Sequence, residues 1–108
     1  RYEDGKIAVA PVSLSLMDEA GATEEDMEDI AAFLGQIEGV ETSVTIRELA
    51  EGGCKLSVRT SGGLNATKVC ARLGGGGHAA AAGCTVSGTL AEAEAAILDA
   101  IRQVEAGA

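Results

Sequence analysis

Aromatic residues are almost missing from this chain. There is no tryptophan, one tyrosine (Tyr2) and one phenylalanine (Phe33) in 108 residues. The core must then be aliphatic and alanine-rich, and no platform of rings is available for stacking nucleic-acid bases. Long apolar runs are missing too: the longest uncharged stretch, Leu73 to Ala91, contains six glycines and a histidine, which a lipid interior does not favour, so no membrane partner is expected. Cys54, Cys70 and Cys84 are odd in number, widely spaced and free of Cys-x-x-Cys pairs. That excludes a disulfide framework and argues against a zinc site built with His78. Buried thiols in a reducing cytoplasm are the expectation. No signal peptide is read, and the opening Arg1-Tyr2-Glu3-Asp4, without methionine, reads as a piece of something longer. What is present, 46% hydrophobic and 23% charged residues, suits one folded domain over residues 1–108 with a single core.

The net charge of −9 is unevenly spread. From Gly52 to Ala91 there is no acid but there are four bases, Lys55, Arg59, Lys68 and Arg72, so that window carries +4 and the remainder −13. Such a molecule does not steer long polyanions from a distance, but a local basic patch holds one or a few phosphates at contact range.

The pattern of residues predicts alternating strands and helices. Lys6–Val12 is a strand, and Ser13–Ala20 is a short helix stopped by Gly21. Thr23 caps a second helix whose Met27, Ile30, Ala31, Leu34 and Ile37 share a face and which Gly39 ends. The acids around its start, Glu24, Glu25, Asp26, Glu28 and Asp29, read as a helix N-terminus and its wet face rather than a metal site. Val40–Leu49 is a strand with Val40, Val44 and Ile46 on one side. After a turn, Cys54–Thr60 alternates Cys54, Leu56 and Val58 inward with Lys55, Ser57 and Arg59 outward. Asn65 caps a helix Ala66–Leu73, Gly83–Ser87 is a short strand, and Thr89 with Glu92 forms a capping box. The last helix buries Leu90, Ala93, Ile97, Ile101 and Val104. The expected fold class is α/β: a small mixed sheet of four to five strands with helices packed on it.

The densest signal is Gly74-Gly75-Gly76-Gly77-His78, followed by four alanines and Gly83. Four glycines in succession are entropically costly to order, and they allow backbone N–H groups to be exposed without side chains in the way. If the alanines begin a helix, those amides and the helix dipole converge on an anion, with His78 at the helix entrance. No Lys-Ser/Thr pair follows, so this is not a Walker loop. It also follows a helix rather than a strand, unlike a dinucleotide-binding turn. The plainer reading is that the glycines serve close packing and His78 is a bystander.

The run G-G-G-G-H-x-x-A-A-G, preceded by Ser57-Val58-Arg59-Thr60-Ser61 and a short helix, resembles the C-terminal, DHH-associated domain of DHH-family phosphoesterases. Thr60 stands where that family more usually has serine, and Gly39-Val40-Glu41 resembles its oligoribonuclease and phosphoadenosine-phosphate phosphatase branch. The resemblance implies that an N-terminal catalytic domain with an Asp-His-His motif carries two manganese or magnesium ions, while the C-terminal domain binds the substrate. The present chain lacks Asp-His-His, so no catalytic residue, metal ligand or bound cofactor is expected in it, and the chain alone is expected to be inactive. The substrate-binding residues implied are Arg59 and Ser61, Gly75, Gly76 and Gly77 through their N–H groups, and His78 toward phosphate or sugar. The implied partners are short RNA or a small phosphorylated adenosine nucleotide, the catalytic domain of the same polypeptide, and a second copy of the full-length protein. The same signature fits a cyclic-dinucleotide phosphodiesterase or a single-strand exonuclease. A non-enzymatic RNA-binding module, as at the C-terminus of alanyl-tRNA synthetases, is the reading of another class, against which the net acidity and scarce aromatics count.

Overall fold

A computed structural model describes residues 5–21 and 23–107, apart from the side chain of Glu24. Tyr2 and the chain start lie outside the described residues. The elements run β1 (Ile7–Val12), α1 (Leu14–Ala20), α2 (Glu24–Gly35), β2 (Thr42–Glu48), β3 (Cys54–Thr60), α3 (Ala66–Ala71), β4 (Gly76–His78), β5 (Ala81–Val86) and α4 (Leu90–Glu105).

Alternation along β2 and β3 decides the layers. Val44 and Ile46 of β2, with Cys54, Leu56 and Val58 of β3, are wholly shielded from solvent and meet Ala66, Val69 and Cys70 of α3 and Ala93, Ile97 and Ile101 of α4. This is the main core. On the opposite face, Thr45 and Ser57 look toward Met27 and Ala31 of α2. A smaller cluster of Val12, Met17, Met27 and Ile30 fastens α1 and α2 to the end of β1.

The sheet order is β1-β2-β3-β5-β4, with β1 parallel to β2 and every other pair antiparallel. The single proline, Pro11, sits on the edge strand β1, where its missing N–H disturbs no ladder. Caps fall where the sequence signals them. Ser13 caps α1 and Gly21 closes it in the left-handed conformation. Thr23 with Asp26, and Thr89 with Glu92, form capping boxes. Asn65 accepts from the Lys68 N–H at the start of α3. The Glu48 carboxylate, 2.8 Å from the Leu14 N–H, ties the end of β2 to the start of α1.

Three expectations are corrected. The alanines after His78 do not start a helix: Ala79 and Ala80 are the two-residue connection of a β4–β5 hairpin. Ala81–Val86 pairs residue for residue with β3, so the last strand begins two residues earlier than read. Alanine's helix preference is overridden by that ladder. Helix α2 stops at Gly35, with Ile37 in the turn beyond and Gly39 at φ 87° directing the chain into β2. Val40 falls before β2 and lines a depression together with Ala31 and Gly35 of α2, outside the core cluster of Val44 and Ile46.

Candidate functional site

The face of the sheet that α2 covers over β2, and reaches at Ser57 of β3, opens outward over β5 and β4. Directly opposed residues in antiparallel strands point to the same side, so the register lays out this face in rows. Arg59 of β3 opposes Ala81 of β5, which opposes His78 of β4. One row over, Ser57 opposes Gly83, which opposes Gly76. The next row is Lys55 opposite Thr85. The middle row has almost no side chain, so it forms a trough, with Arg59 and His78 along one bank about 10 Å apart, two strand spacings. A depression of about 230 Å³ lies here, bounded by Glu28, Ser57, Arg59, Gly76, Gly77 and Gly83.

The guanidinium of Arg59 is paired with the Glu28 carboxylate, which reaches over from α2. The two side chains are 42% and 61% exposed. A pair so solvated contributes about 0–1 kcal/mol to stability, so it orients Arg59 without locking it. Arg59 is also the wall shared with a second depression of about 240 Å³, lined by Ser43, Thr60, Ser61 and Glu41 beside Ala31 and Gly35. There Ser61 is anchored by its own N–H, 2.8 Å from the Glu41 carbonyl.

The four glycines do different jobs. Gly74 has φ 84° and turns the chain out of α3. The N–H of Gly75 donates to the Cys70 carbonyl at 2.8 Å, and a Cβ on Gly75 would press into the Gly83 carbonyl oxygen and lie 2.5 Å from the Cys84 Cβ. Its hydrogen is committed inside the fold, and its role is the close approach of the loop to β5. Gly77 combines φ 151° with a site where a Cβ would lie 2.6 Å from the Ala82 Cα. Gly76 has neither constraint: a Cβ there meets nothing within 4 Å and stands over the trough. The hairpin tip is clamped as well, since the Ala79 carbonyl accepts from the Ala66 N–H at 2.8 Å and from the Thr60 hydroxyl at 3.3 Å, and the Ala80 carbonyl accepts from the Thr60 N–H at 3.0 Å.

Of the residues singled out in the sequence, Arg59, Gly76 and Gly77 come together in one depression, Ser61 borders the next, and His78 stands in the same row as Arg59. Gly75 faces the packing side. With no helix after His78, the loop is an edge strand rather than an amide nest on a helix dipole. The basic window divides: Lys55 and Arg59 lie on the open face, whereas Lys68 of α3 and Arg72, which caps its end, are on the other side of the sheet. Arg72 donates to Gln103 at 2.7 Å there. Arg47, outside that window, joins the open face opposite Lys55. Ser57 and Gly83 were legible in principle from strand parity. Glu28 lies on the side of α2 where Ala31, Ala32 and Gly35 follow at helical spacing, and nothing near it in the sequence marks its pairing with Arg59.

Beneath the trough, Cys84 accepts a hydrogen bond from Cys70, which holds its thiol below the usual cysteine range. That bond and burial push Cys70 well above it. Burial, with the Glu48 charge nearby, also raises Cys54. All three cysteines are free and buried. Among the described residues, no group of three or more His, Cys, Asp or Glu side chains is placed to hold a metal ion, so the described residues alone do not form the donor set of a two-metal site. Among them too, no helix is long and apolar enough to cross a membrane.

Comparison with known proteins identifies the fold and the family. The chain is 41% identical over 93 residues to the bifunctional oligoribonuclease and PAP phosphatase NrnA of Thermus thermophilus, covering 85% of this chain and 28% of that protein. The fold superposes on an exopolyphosphatase-related protein from Bacteroides fragilis with a TM-score of 0.86 at 26% identity, over 95% of this chain and 30% of that one. It also shares its fold with the C-Ala domain of Aquifex aeolicus alanyl-tRNA synthetase, with a TM-score of 0.62 at 16% identity, covering 88% and 89% of the two chains. The chain thus spans less than a third of the first two relatives. Residues 4–107 match the DHHA1 domain, and the chain belongs to that family.

Proposed function

We propose that this chain is the nucleotide- and phosphate-binding domain of a metal-dependent phosphoesterase that hydrolyses short oligoribonucleotides or small phosphorylated adenosine nucleotides. The observation that carries the reading is the trough: a cross-strand row of Ser57, Gly83 and Gly76, open enough for a phosphate and banked by Arg59. The Arg59 guanidinium supplies a planar fork for phosphate oxygens, Gly76 and Gly77 supply close backbone approach, and His78 and Ser61 reach the sugar or a neighbouring phosphate. Gly75 supports the site by seating the loop against β5. Phe33 lies outside the trough lining, so recognition is led by phosphate and is tolerant of the base.

In this reading a DHH catalytic domain of the same polypeptide faces the trough across a cleft, holds manganese or magnesium, and activates the attacking water. The whole enzyme is cytoplasmic and works as a homodimer. The similarity to NrnA and the absence of a metal donor set among the described residues support this division of labour.

The test is a titration of the 15N-labelled chain with AMP. The expected result is a joint shift of the Gly74–His78 and Arg59 amides with millimolar affinity, and Arg59→Ala should weaken binding by about 1.5–3 kcal/mol, the range for hydrogen bonds to charged groups. The chain by itself should turn over no oligonucleotide with or without manganese. Loop amides that do not move, or metal-dependent turnover by the purified chain, would overturn the assignment.

A further inference from the structure

We infer that Glu28 is the resident counter-anion of Arg59, and that ligand binding in the trough is an exchange in which a phosphate takes the guanidinium from the Glu28 carboxylate. The inference deepens the proposed function and rests on its placing phosphate at Arg59.

Among the described residues, Glu28 is the one carboxylate in the lining of the depression that holds Arg59, Ser57, Gly83 and Gly76. It meets Arg59 directly, and both side chains are exposed enough to move. Its backbone does not move with it, because α2 is pinned at its start by the Thr23–Asp26 capping box and by burial of Met27 in the second core. The carboxylate is thus a tethered anion on a short leash beside the site. A carboxylate and a phosphate make the same kind of paired N–H···O bonds to a guanidinium. They therefore compete for one donor set and cannot both use it fully.

This sets a threshold on ligand chemistry. Every ligand that uses Arg59 is weakened by the same factor, since each must release Glu28. A singly charged carboxylate ligand replaces one carboxylate with another and loses its own freedom of motion in doing so. A phosphate monoester, with up to two charges and three terminal oxygens, retains a gain. The common factor leaves the ratio of phosphate to carboxylate affinity unchanged, so phosphate is preferred through its charge and oxygen count, and product phosphate is released readily because the replacement anion is already attached.

An exposed pair typically worth about 0.2–1 kcal/mol implies that the exchange lowers affinity by a factor of about 1.4 to 5. Isothermal titration of the chain with inorganic phosphate measures this directly. Glu28→Gln and Glu28→Asp should both tighten phosphate binding by that factor, the second because the shorter side chain withdraws from Arg59 while keeping its charge. Acetate binding should tighten by the same factor as phosphate binding in Glu28→Gln, since both ligands are freed from the same competitor. Both variants alter an exposed helix position, and matching amide spectra would verify the fold. Unchanged or weaker phosphate binding in Glu28→Gln would overturn the exchange, as would Glu28→Asp behaving like wild type, which would mean that only the long-range field of the carboxylate matters. Arg59→Ala separates the two levels: if it leaves phosphate affinity unchanged, the site reading itself falls.

Discussion

Alanine placed in turn at Gly74, Gly75, Gly76 and Gly77 separates the structural from the ligand-facing glycines, because each would add one methyl to a different environment. At Gly75 the methyl would sit 2.5 Å from the Cys84 Cβ, with the Gly83 carbonyl in the same space. Ordinary carbon contacts need about 3.5 Å or more, so β5 or the loop must shift by about 1 Å, and overpacking of this kind costs about 1–3 kcal/mol or more. At Gly77 a similar collision with Ala82 adds to a φ of 151° that side chains avoid, and this variant should lose the most, upward of about 3 kcal/mol. Gly74 has open space but φ 84°, for about 1–2 kcal/mol. Gly76 has neither problem, and alanine there should leave stability unchanged or raise it by up to about 1 kcal/mol through the unfolded chain. For a domain this size 1 kcal/mol is about 4–8 °C in melting temperature. The Gly77 and Gly75 variants should then melt about 10 °C or more below wild type, with Gly76→Ala level with it. Thermal and urea denaturation give the order, and phosphate titration gives the second axis: Gly76→Ala should be stable yet bind weakly, because its methyl occupies the trough. If Gly76→Ala were as unstable as Gly75→Ala, the row assignment would be wrong. If it bound phosphate like wild type, the trough would not be where phosphate sits.

Lys68→Ala and Arg72→Ala should leave phosphate affinity as it is, since both residues lie across the sheet from Arg59; a loss comparable to that of Arg59→Ala would refute the division of the basic window. Thr89→Ala removes the N-cap of α4 and should cost about 1 kcal/mol in urea denaturation. Glu92, its partner, is held below the usual carboxylate range by hydrogen bonds from the Thr89 backbone and side chain, so its contribution is fully present above the ordinary value of 4.5 and fades as pH falls through the lower folded value. The stability difference between wild type and Glu92→Gln should therefore narrow on acidification, and a difference that grows would refute the assignment. Alkylation in native buffer should label none of the three buried cysteines rapidly and all three in denaturant, read by mass spectrometry; fast labelling of Cys70 would contradict its burial.

Local chemistry made much of this fold legible before any coordinates. The alternation in Cys54–Thr60, the caps at Thr23, Asn65 and Thr89, and the stripe in the last helix each follow from interactions within a few residues. What escaped depends on partners distant in sequence. The helical reading of Ala79–Ala82 failed because alanine carries no sign of the six-pair ladder that β3 offers to β5. Seen along the chain, Lys68 and Arg72 are neighbours of Arg59, and only the packing of α3 beneath the sheet parts them. Glu28 read as a wet helix face because its partner lies 31 residues away. The motif pointed to Arg59 and the glycine run, while the register separated Gly75, turned to the packing side, from Gly76, turned to solvent.

The clamp on the β4–β5 tip also fixes a population. Three hydrogen bonds hold Ala79 and Ala80 to Thr60 and Ala66. At about 1 kcal/mol each they favour the closed hairpin by roughly a hundredfold over one swung away from the sheet. Apparent affinity scales with the closed fraction. Removing any one bond leaves that fraction at about 97%, a change that a binding curve hardly registers, while the rare open state becomes about fivefold more frequent. The clamp is redundant for occupancy and not for excursions. Ligand affinity thus tolerates sequence drift at position 60, whereas the rate at which the Ala66 amide exchanges with solvent records every bond lost.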